Sequence, residues 1–112
     1  MMRIDEIFEV RYGHSLELNR LKPATSADGY PFISRKMGDN GVSAYVFEVP
    51  GVKPNPKGEL TCALSGNGVL STFIQERPYY TAFHVACLRP KLNLSKSELL
   101  YYCACIKANR YR

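Results

Sequence analysis

The feature that most constrains the fold is a helix signal near the end of this 112-residue chain. The run Ser95–Glu98 reads SKSE, which is a capping box. In this motif the Ser95 hydroxyl accepts from the Glu98 amide, and the Glu98 carboxylate accepts from the Ser95 amide. Leu94 and Leu99 occupy the flanking apolar staple positions. The pattern predicts a helix over about 96–109.

The predicted helix is apolar on two sides. With about 100° of rotation per residue, one side contains Leu99, Tyr102, Cys103 and Ile106. The other side contains Tyr101, Ala104, Cys105 and Ala108. A helix that is apolar all round is normally covered all round, and no later residues are present to cover the second side. We therefore expect a further C-terminal portion, or a contact of Tyr101, Cys105 and Ala108 with a partner protein or a second copy.

Short β-prone runs separated by turn signals precede the helix. The turn Asp39–Gly41 leads into the run 42–49, and the glycine-containing turn Ser65–Gly68 separates 60–64 from 69–74 in a hairpin. Further strands are expected at 32–34 and 83–88. An apolar lead-in occupies 4–10, and proline-containing loops occupy 22–31 and 50–58.

Composition favours binding over catalysis. Fifteen Lys and Arg against ten Asp and Glu give a net charge of +5, which favours a polyanionic partner. The chain contains neither a P-loop nor a dinucleotide fingerprint, so we expect no enzymatic activity and no cofactor. No apolar run approaches the roughly 18 residues of a membrane helix. The first residues contain no signal-peptide core, and we expect a cytoplasmic protein.

The four cysteines are interpreted as small buried hydrophobic residues. Their spacings contain no C-x-x-C pair, and two cysteines two apart on a helix diverge, so no metal site is expected. A cytoplasmic chain is also an improbable place for a disulfide framework. The cysteines are Cys62, Cys87, Cys103 and Cys105.

Seven segments, taken in order, match the pattern of a known family; they are 5–13, 32–35, 40–44, 58–64, 69–73, 79–81 and 100–111. Together they resemble the target recognition domain of restriction–modification specificity subunits, both of type I systems and of related fused type II enzymes. The resemblance implies an α+β domain with a curled, β-helix-like mixed sheet followed by a C-terminal helix. It also implies a domain that reads a short sequence in double-stranded DNA for a partner methyltransferase and nuclease. Such domains continue beyond this helix, so residues 1–112 are expected to be a single domain resembling the first part of one.

Candidate DNA contacts are polar, basic or aromatic residues beside turns. Arginine can read guanine, and asparagine or glutamine can read adenine, in the major groove. Lys36 and Arg77 could instead position phosphates, and the tyrosines could pack in the core or stack on a base or sugar. The candidates are Arg35, Lys36, Asn40, Asn67, Gln75, Arg77, Tyr79 and Tyr80.

Three functional hypotheses remain open from the sequence. The first is a non-catalytic DNA-recognition module that acts with a methyltransferase subunit or another restriction–modification protein. The second is a small stand-alone homologue, from a phage or mobile element, that binds and inhibits a restriction–modification or related defence enzyme. The third is an unrelated β-roll that binds nucleic acid. The positive charge favours the first over the second, because DNA mimics are usually acidic.

Overall fold

Seven short strands form two sheets in the part of the chain that the computed structural model describes, residues 4–66 and 69–108. Helix α1 spans Ile4–Ile7 and helix α2 spans Lys96–Ala108. The strands are β1 (Phe8–Tyr12), β2 (Tyr30–Ile33), β3 (Val42–Val46), β4 (Glu59–Ala63), β5 (Thr72–Gln75), β6 (Tyr80–Thr81) and β7 (Val85–Pro90).

The first sheet is antiparallel, with strand order β1-β7-β4-β5. The predicted hairpin forms its β4–β5 pair, with Glu59 opposite Gln75 and Cys62 opposite Thr72. Strand β5 begins at Thr72 rather than at Val69, because the left-handed φ of 64° at Leu70 interrupts the extended backbone. Gly68 lies outside the described residues.

The second sheet is mixed, with strand order β3-β2-β6. Strands β2 and β3 are antiparallel, and the predicted turn Asp39–Gly41 precedes β3 as a short 3₁₀ turn. Gly41 has a φ of 76°, and a Cβ atom there would lie 3.2 Å from the side chains of Ile33 and Phe73. The turn therefore needs glycine for both its conformation and its close packing.

The sheets and α2 stack in layers. The outer face of the first sheet packs on α2 through Leu99, Cys103 and Ile106, as predicted for that side of the helix. The space between the sheets is filled by Ile33, Tyr79, Val85 and Cys87. Loop residues cover the far face of the second sheet around Phe32, Val46 and Tyr80; they include Leu16, Leu21, Val49 and Val52.

The α+β class and the C-terminal helix are confirmed, whereas the curled, β-helix-like course of the sheet stays a prediction. The last strand starts at Val85, so its predicted start at Phe83 was wrong: Phe83 is exposed, and His84 has a φ of 58°.

Cys62, Cys87 and Cys103 are buried as free thiols, and Cys105 is half-buried. Neither α1 nor α2 has the length and apolar composition needed to cross a bilayer.

Candidate nucleic-acid interface

Two exposed loops meet at one end of the sheets. Arg35, which follows β2, donates from Nη1 to Ser65 Oγ in the β4–β5 loop at 2.8 Å. Its neighbour Lys36 is also exposed and pairs with Asp39 Oδ2. That contact lowers the pKa of the Asp39 carboxyl, chiefly by hydrogen bonding to the carboxylate. The loops place two cationic side chains together on an open surface, which we call the basic loop pair (34–41 and 64–66).

Asn40 anchors the basic loop pair to β5. Its φ of 57° and ψ of 26° are left-handed, a conformation that asparagine tolerates better than most residues. Its Nδ2 donates to the Ile74 carbonyl at 2.9 Å. Asn40 is exposed and can still approach a ligand.

Gln75 supports this turn from below. It is 2% exposed, and its Nε2 donates to the Asn40 carbonyl and to Thr61 Oγ1, both at 3.0 Å. The buried position removes Gln75 from direct contact with DNA. Its prediction as a base-reading residue is therefore wrong, because its amide is used inside the protein.

Arg77 holds a neighbouring loop. Its Nη2 donates to the carbonyls of Ser26 and Gly29, at 2.9 and 2.7 Å. The guanidinium carbon lies 5.5 Å from the centroid of the Tyr45 ring. The Arg77 side chain is nevertheless exposed, and it lines a shallow cleft of about 240 Å³ together with Asn40. The structure thus places Arg77 beside the basic loop pair.

Tyr79 and Tyr80 do not stack on DNA, because both are 0% exposed. Pairing of β6 with β2 directs Tyr79 between the sheets and Tyr80 into the far-side cluster. The Tyr79 hydroxyl donates to Glu59 Oε1 at 2.7 Å, and the Tyr80 hydroxyl donates to the Val52 carbonyl at 2.9 Å. Burial raises the pKa of Tyr79 well above its ordinary value. The alternative of core packing is the correct one. Asn67 lies outside the described residues.

A polar cluster that the sequence did not indicate lies between the sheets. Glu59 is 1% exposed and pairs with Arg11, Nη2 to Oε1 at 2.8 Å. Arg11 also donates to Asn55 Oδ1 at 3.1 Å, and Asn55 lies 3.5 Å from His14 Nδ1. The β-prone run around Glu59 contains no local signal for this pairing, since Arg11 is 48 residues away. The cluster joins β1, β4 and the loop before β4.

A second surface lies on the outer side of α2. Tyr101 is 65% exposed, Ala108 is exposed and Cys105 is half-buried, so the predicted interface residues do share one side of the helix. Contact with Cys105 raises the pKa of Tyr101. We call this surface the outer helix face (Tyr101, Ala104, Cys105 and Ala108).

An exposed apolar patch that the sequence did not indicate lies close to the outer helix face. The Tyr101 ring contacts Tyr102 edge-on at 5.4 Å between centroids, and Tyr102 contacts Phe8 in the same way at 5.5 Å. Further along the same side of β1, Val10 is 50% and Tyr12 is 80% exposed. Exposed apolar side chains grouped near one another are typical of protein–protein contacts.

The described ranges hold no group of three or more His, Cys, Asp or Glu side chains placed to bind a metal ion. The chain belongs to the family of type I restriction modification DNA specificity domains, whose model matches residues 1–111. The family is defined by DNA specificity, which confirms the prediction of a non-catalytic recognition module.

Known relatives are much longer than this chain. It is 32% identical over 99 residues to the specificity subunit S.BcgI of a type II restriction enzyme from Heyndrickxia coagulans. The match covers 88% of this chain and 28% of that protein.

Solved structures show the same fold. The type I restriction–modification S subunit of M. genitalium superposes with a TM-score of 0.68 at 18% identity, over 96% of this chain and 28% of that one. The HsdS subunit of Thermoanaerobacter tengcongensis superposes with a TM-score of 0.67 at 22% identity, over 96% of this chain and 27% of that one.

Proposed function

We propose that this domain reads a short sequence in double-stranded DNA and presents it to a partner methyltransferase and nuclease. The observation that supports this most is the contact between Arg35 and Ser65, which joins the exposed loop of Arg35 and Lys36 to the β4–β5 loop. Specificity needs side chains held in fixed positions, since base edges are read by hydrogen bonds of defined geometry. Residues 1–112 would then form the first part of a target recognition domain with a curled sheet.

The basic loop pair divides naturally into two roles. Lys36 is a flexible point charge suited to a phosphate, whereas the guanidinium of Arg35 can reach a phosphate or a guanine edge. Asn40 sits on a rigid turn and can add a contact to an adenine. Asn67, in the loop that Arg35 contacts, is proposed as a further base contact.

The protein partner is proposed to bind the outer helix face and the apolar patch of Val10 and Tyr12. Tyrosine is enriched at interfaces because a large apolar ring can be buried while its hydroxyl keeps a polar contact. The chain spans about 28% of the length of the relatives it matches. We propose the methyltransferase subunit as the partner that binds these surfaces. A second copy of the chain is the competing occupant.

The inhibitor hypothesis rests on the same apolar surfaces, without a role for DNA. The net charge of +5 favours DNA as the ligand, because a protein that occupies a DNA site by mimicry is usually acidic. The two functions differ in what the isolated domain binds.

The experiment is a titration of a labelled random-sequence 20-bp duplex, followed by fluorescence anisotropy at several salt concentrations. We expect a log–log salt slope of about −4 to −5, for four to six phosphate contacts. Arg35→Glu with Lys36→Glu should weaken binding. Lys22→Glu with Lys53→Glu reverses two charges on the loops that cover the far face of the second sheet, and should have a much smaller effect. Absence of binding at low salt would support the inhibitor hypothesis instead.

A further inference from the structure

A cleft lined by two lysines opens along the outer edge of β5, one of the two edge strands of the first sheet. It has a volume of about 250 Å³ and lies between α2 and the turn that contains Asn40. We call it the β5 cleft. Its floor is formed by Thr72, Phe73 and Ile74, and its sides by Asn40, Glu76, Lys96, Leu100, Cys103 and Lys107.

Two lysines stand at opposite ends of the β5 cleft. Lys96 and Lys107 are eleven residues apart, close to three helical turns, so they lie on the same side of α2 and about 16 Å apart along it. Lys107 Nζ lies 4.6 Å from the centroid of the Phe73 ring, which holds the charge over the cleft. Leu100 and Cys103 lie between the two lysines on the helix, so this side of the cleft is apolar with a cation at each end.

Lys96 forms an exposed ion pair that an incoming anion can replace. Its Nζ pairs with Glu76 Oε1 at 2.8 Å, and the two side chains are 67% and 61% exposed. Exposed ion pairs are weak, so a phosphate can replace the Glu76 carboxylate without a large loss. Glu76 therefore occupies Lys96 in the free protein and competes with an incoming anion.

We propose that one strand of the DNA backbone lies across the β5 cleft, with Lys96 and Lys107 bound to its phosphates. This assignment rests on the proposed function. Phosphates on one strand follow each other about every 3.4 Å of duplex axis, so two cations about 16 Å apart span several of them. Asn40 belongs to the basic loop pair and also lines the cleft, so a duplex held here passes directly beside the loops that read it.

An added peptide strand is the other conceivable occupant of an open sheet edge. The Asn40 side chain already donates to the Ile74 carbonyl at 2.9 Å, which removes an acceptor that such a strand would need. Lysines at both ends also favour a polyanion. These two observations favour DNA over a peptide.

The test uses the same random-sequence duplex and salt series. Lys96→Gln with Lys107→Gln should reduce the magnitude of the salt slope by about 1.8, since each phosphate contact contributes about 0.9. Lys22→Gln with Lys53→Gln removes the same charge from the far side and should change the slope by less than about 0.5. Glu76→Gln should strengthen binding, because it releases Lys96 and removes a competing carboxylate.

The outcomes separate the two proposals. If the unmodified chain fails to bind the duplex, the proposed function itself fails. If it binds but Lys96→Gln with Lys107→Gln leaves the slope unchanged, only the β5 cleft is excluded, and a peptide becomes the better occupant. If Lys22→Gln with Lys53→Gln reduces the salt slope equally, the effect comes from net charge and not from the cleft. Weaker DNA binding by Glu76→Gln than by the unmodified chain would also overturn the proposal, because the ion pair would then have a structural role. Thermal melting of every variant checks that the fold is kept.

Discussion

The side chain of Gln75 donates from Nε2 to the main-chain carbonyl of Asn40 at 3.0 Å, tying an exposed turn of the second sheet to a buried strand of the first. Asn40 returns a bond from its own side chain to the Ile74 carbonyl. The turn that holds a candidate base-reading residue is thus fixed from two directions. Such fixation lowers the entropy lost when DNA binds.

Replacement of Gln75 by leucine should lower the free energy of unfolding by about 1–3 kcal/mol, because the Asn40 carbonyl and the Thr61 hydroxyl lose their buried donor. Urea denaturation measures the change. Asn93→Leu, at an exposed position, is the control and should stay within about 0.5 kcal/mol of the unmodified protein. Equal effects of the two changes would contradict the support role of Gln75.

Glu59→Ala should destabilise the domain more strongly. It leaves Arg11 and the Tyr79 hydroxyl without their shared acceptor between the sheets. We expect a loss of about 2–4 kcal/mol, below the roughly 3–5 of a fully buried pair, because the Arg11 side chain is 32% exposed. In a double-mutant cycle measured by urea denaturation, Arg11→Met with Glu59→Met should cost less than the sum of the single changes. Strict additivity would argue against the ion pair.

Acid should destabilise the domain through His14. Burial disfavours the imidazolium and lowers the pKa of His14 below its ordinary value of 6.5, with a smaller contribution from the Arg11 charge. The unfolded chain therefore takes up this proton at a higher pH than the folded one, so the associated stability is present at neutral pH and is lost as pH falls below about 6.5. Urea midpoints at pH 7 and pH 5 should differ less in His14→Gln than in the unmodified protein. An unchanged difference would exclude His14 as the source.

The outer helix face and the buried side of α2 should respond differently to charge. Ile106 is 7% exposed and Tyr101 is 65% exposed. Ile106→Glu places a charge in the core and should unfold the domain. Tyr101→Glu should melt like the unmodified chain but weaken association, since burying a large side chain contributes roughly 1.5–3 kcal/mol.

Thermal melting and sedimentation, with and without the methyltransferase subunit, distinguish these cases. If Tyr101→Glu melts as low as Ile106→Glu, the outer helix face is not a free surface. If Tyr101→Glu folds and every association is unchanged, the interface lies elsewhere.

Local signals in the sequence predicted local structure well. The capping box forms as expected, with the Ser95 amide bound to Glu98 Oε1 at 3.0 Å and the Glu98 amide bound to Ser95 Oγ at 3.2 Å. Both groups lie within one helical turn, so spacing alone identifies them. The buried side of α2 follows from helical periodicity for the same reason.

Features that depend on distant pairing could not be read from spacing. Tyr79 and Tyr80 stand beside a proline in a polar stretch, and only the parallel pairing of β6 with β2 buries them. From the sequence alone, Gln75 has the features of an exposed hydrogen-bonding residue. In the fold, the Asn40 turn packs over it. The partition of strands into two sheets depends on such long-range contacts, which are absent from the local pattern.

Selection from a pool of randomised duplexes measures whether this domain distinguishes one DNA sequence from another. The chain is immobilised, bound duplexes are recovered over several rounds at about 150 mM salt, where non-specific phosphate binding is reduced, and the recovered sequences are read. We predict enrichment of a short consensus that the unmodified chain binds more tightly than a shuffled duplex, and whose enrichment is lost in Arg35→Glu with Lys36→Glu. Recovery of duplexes without any shared sequence, at equal affinity for consensus and shuffled DNA, would contradict the claim.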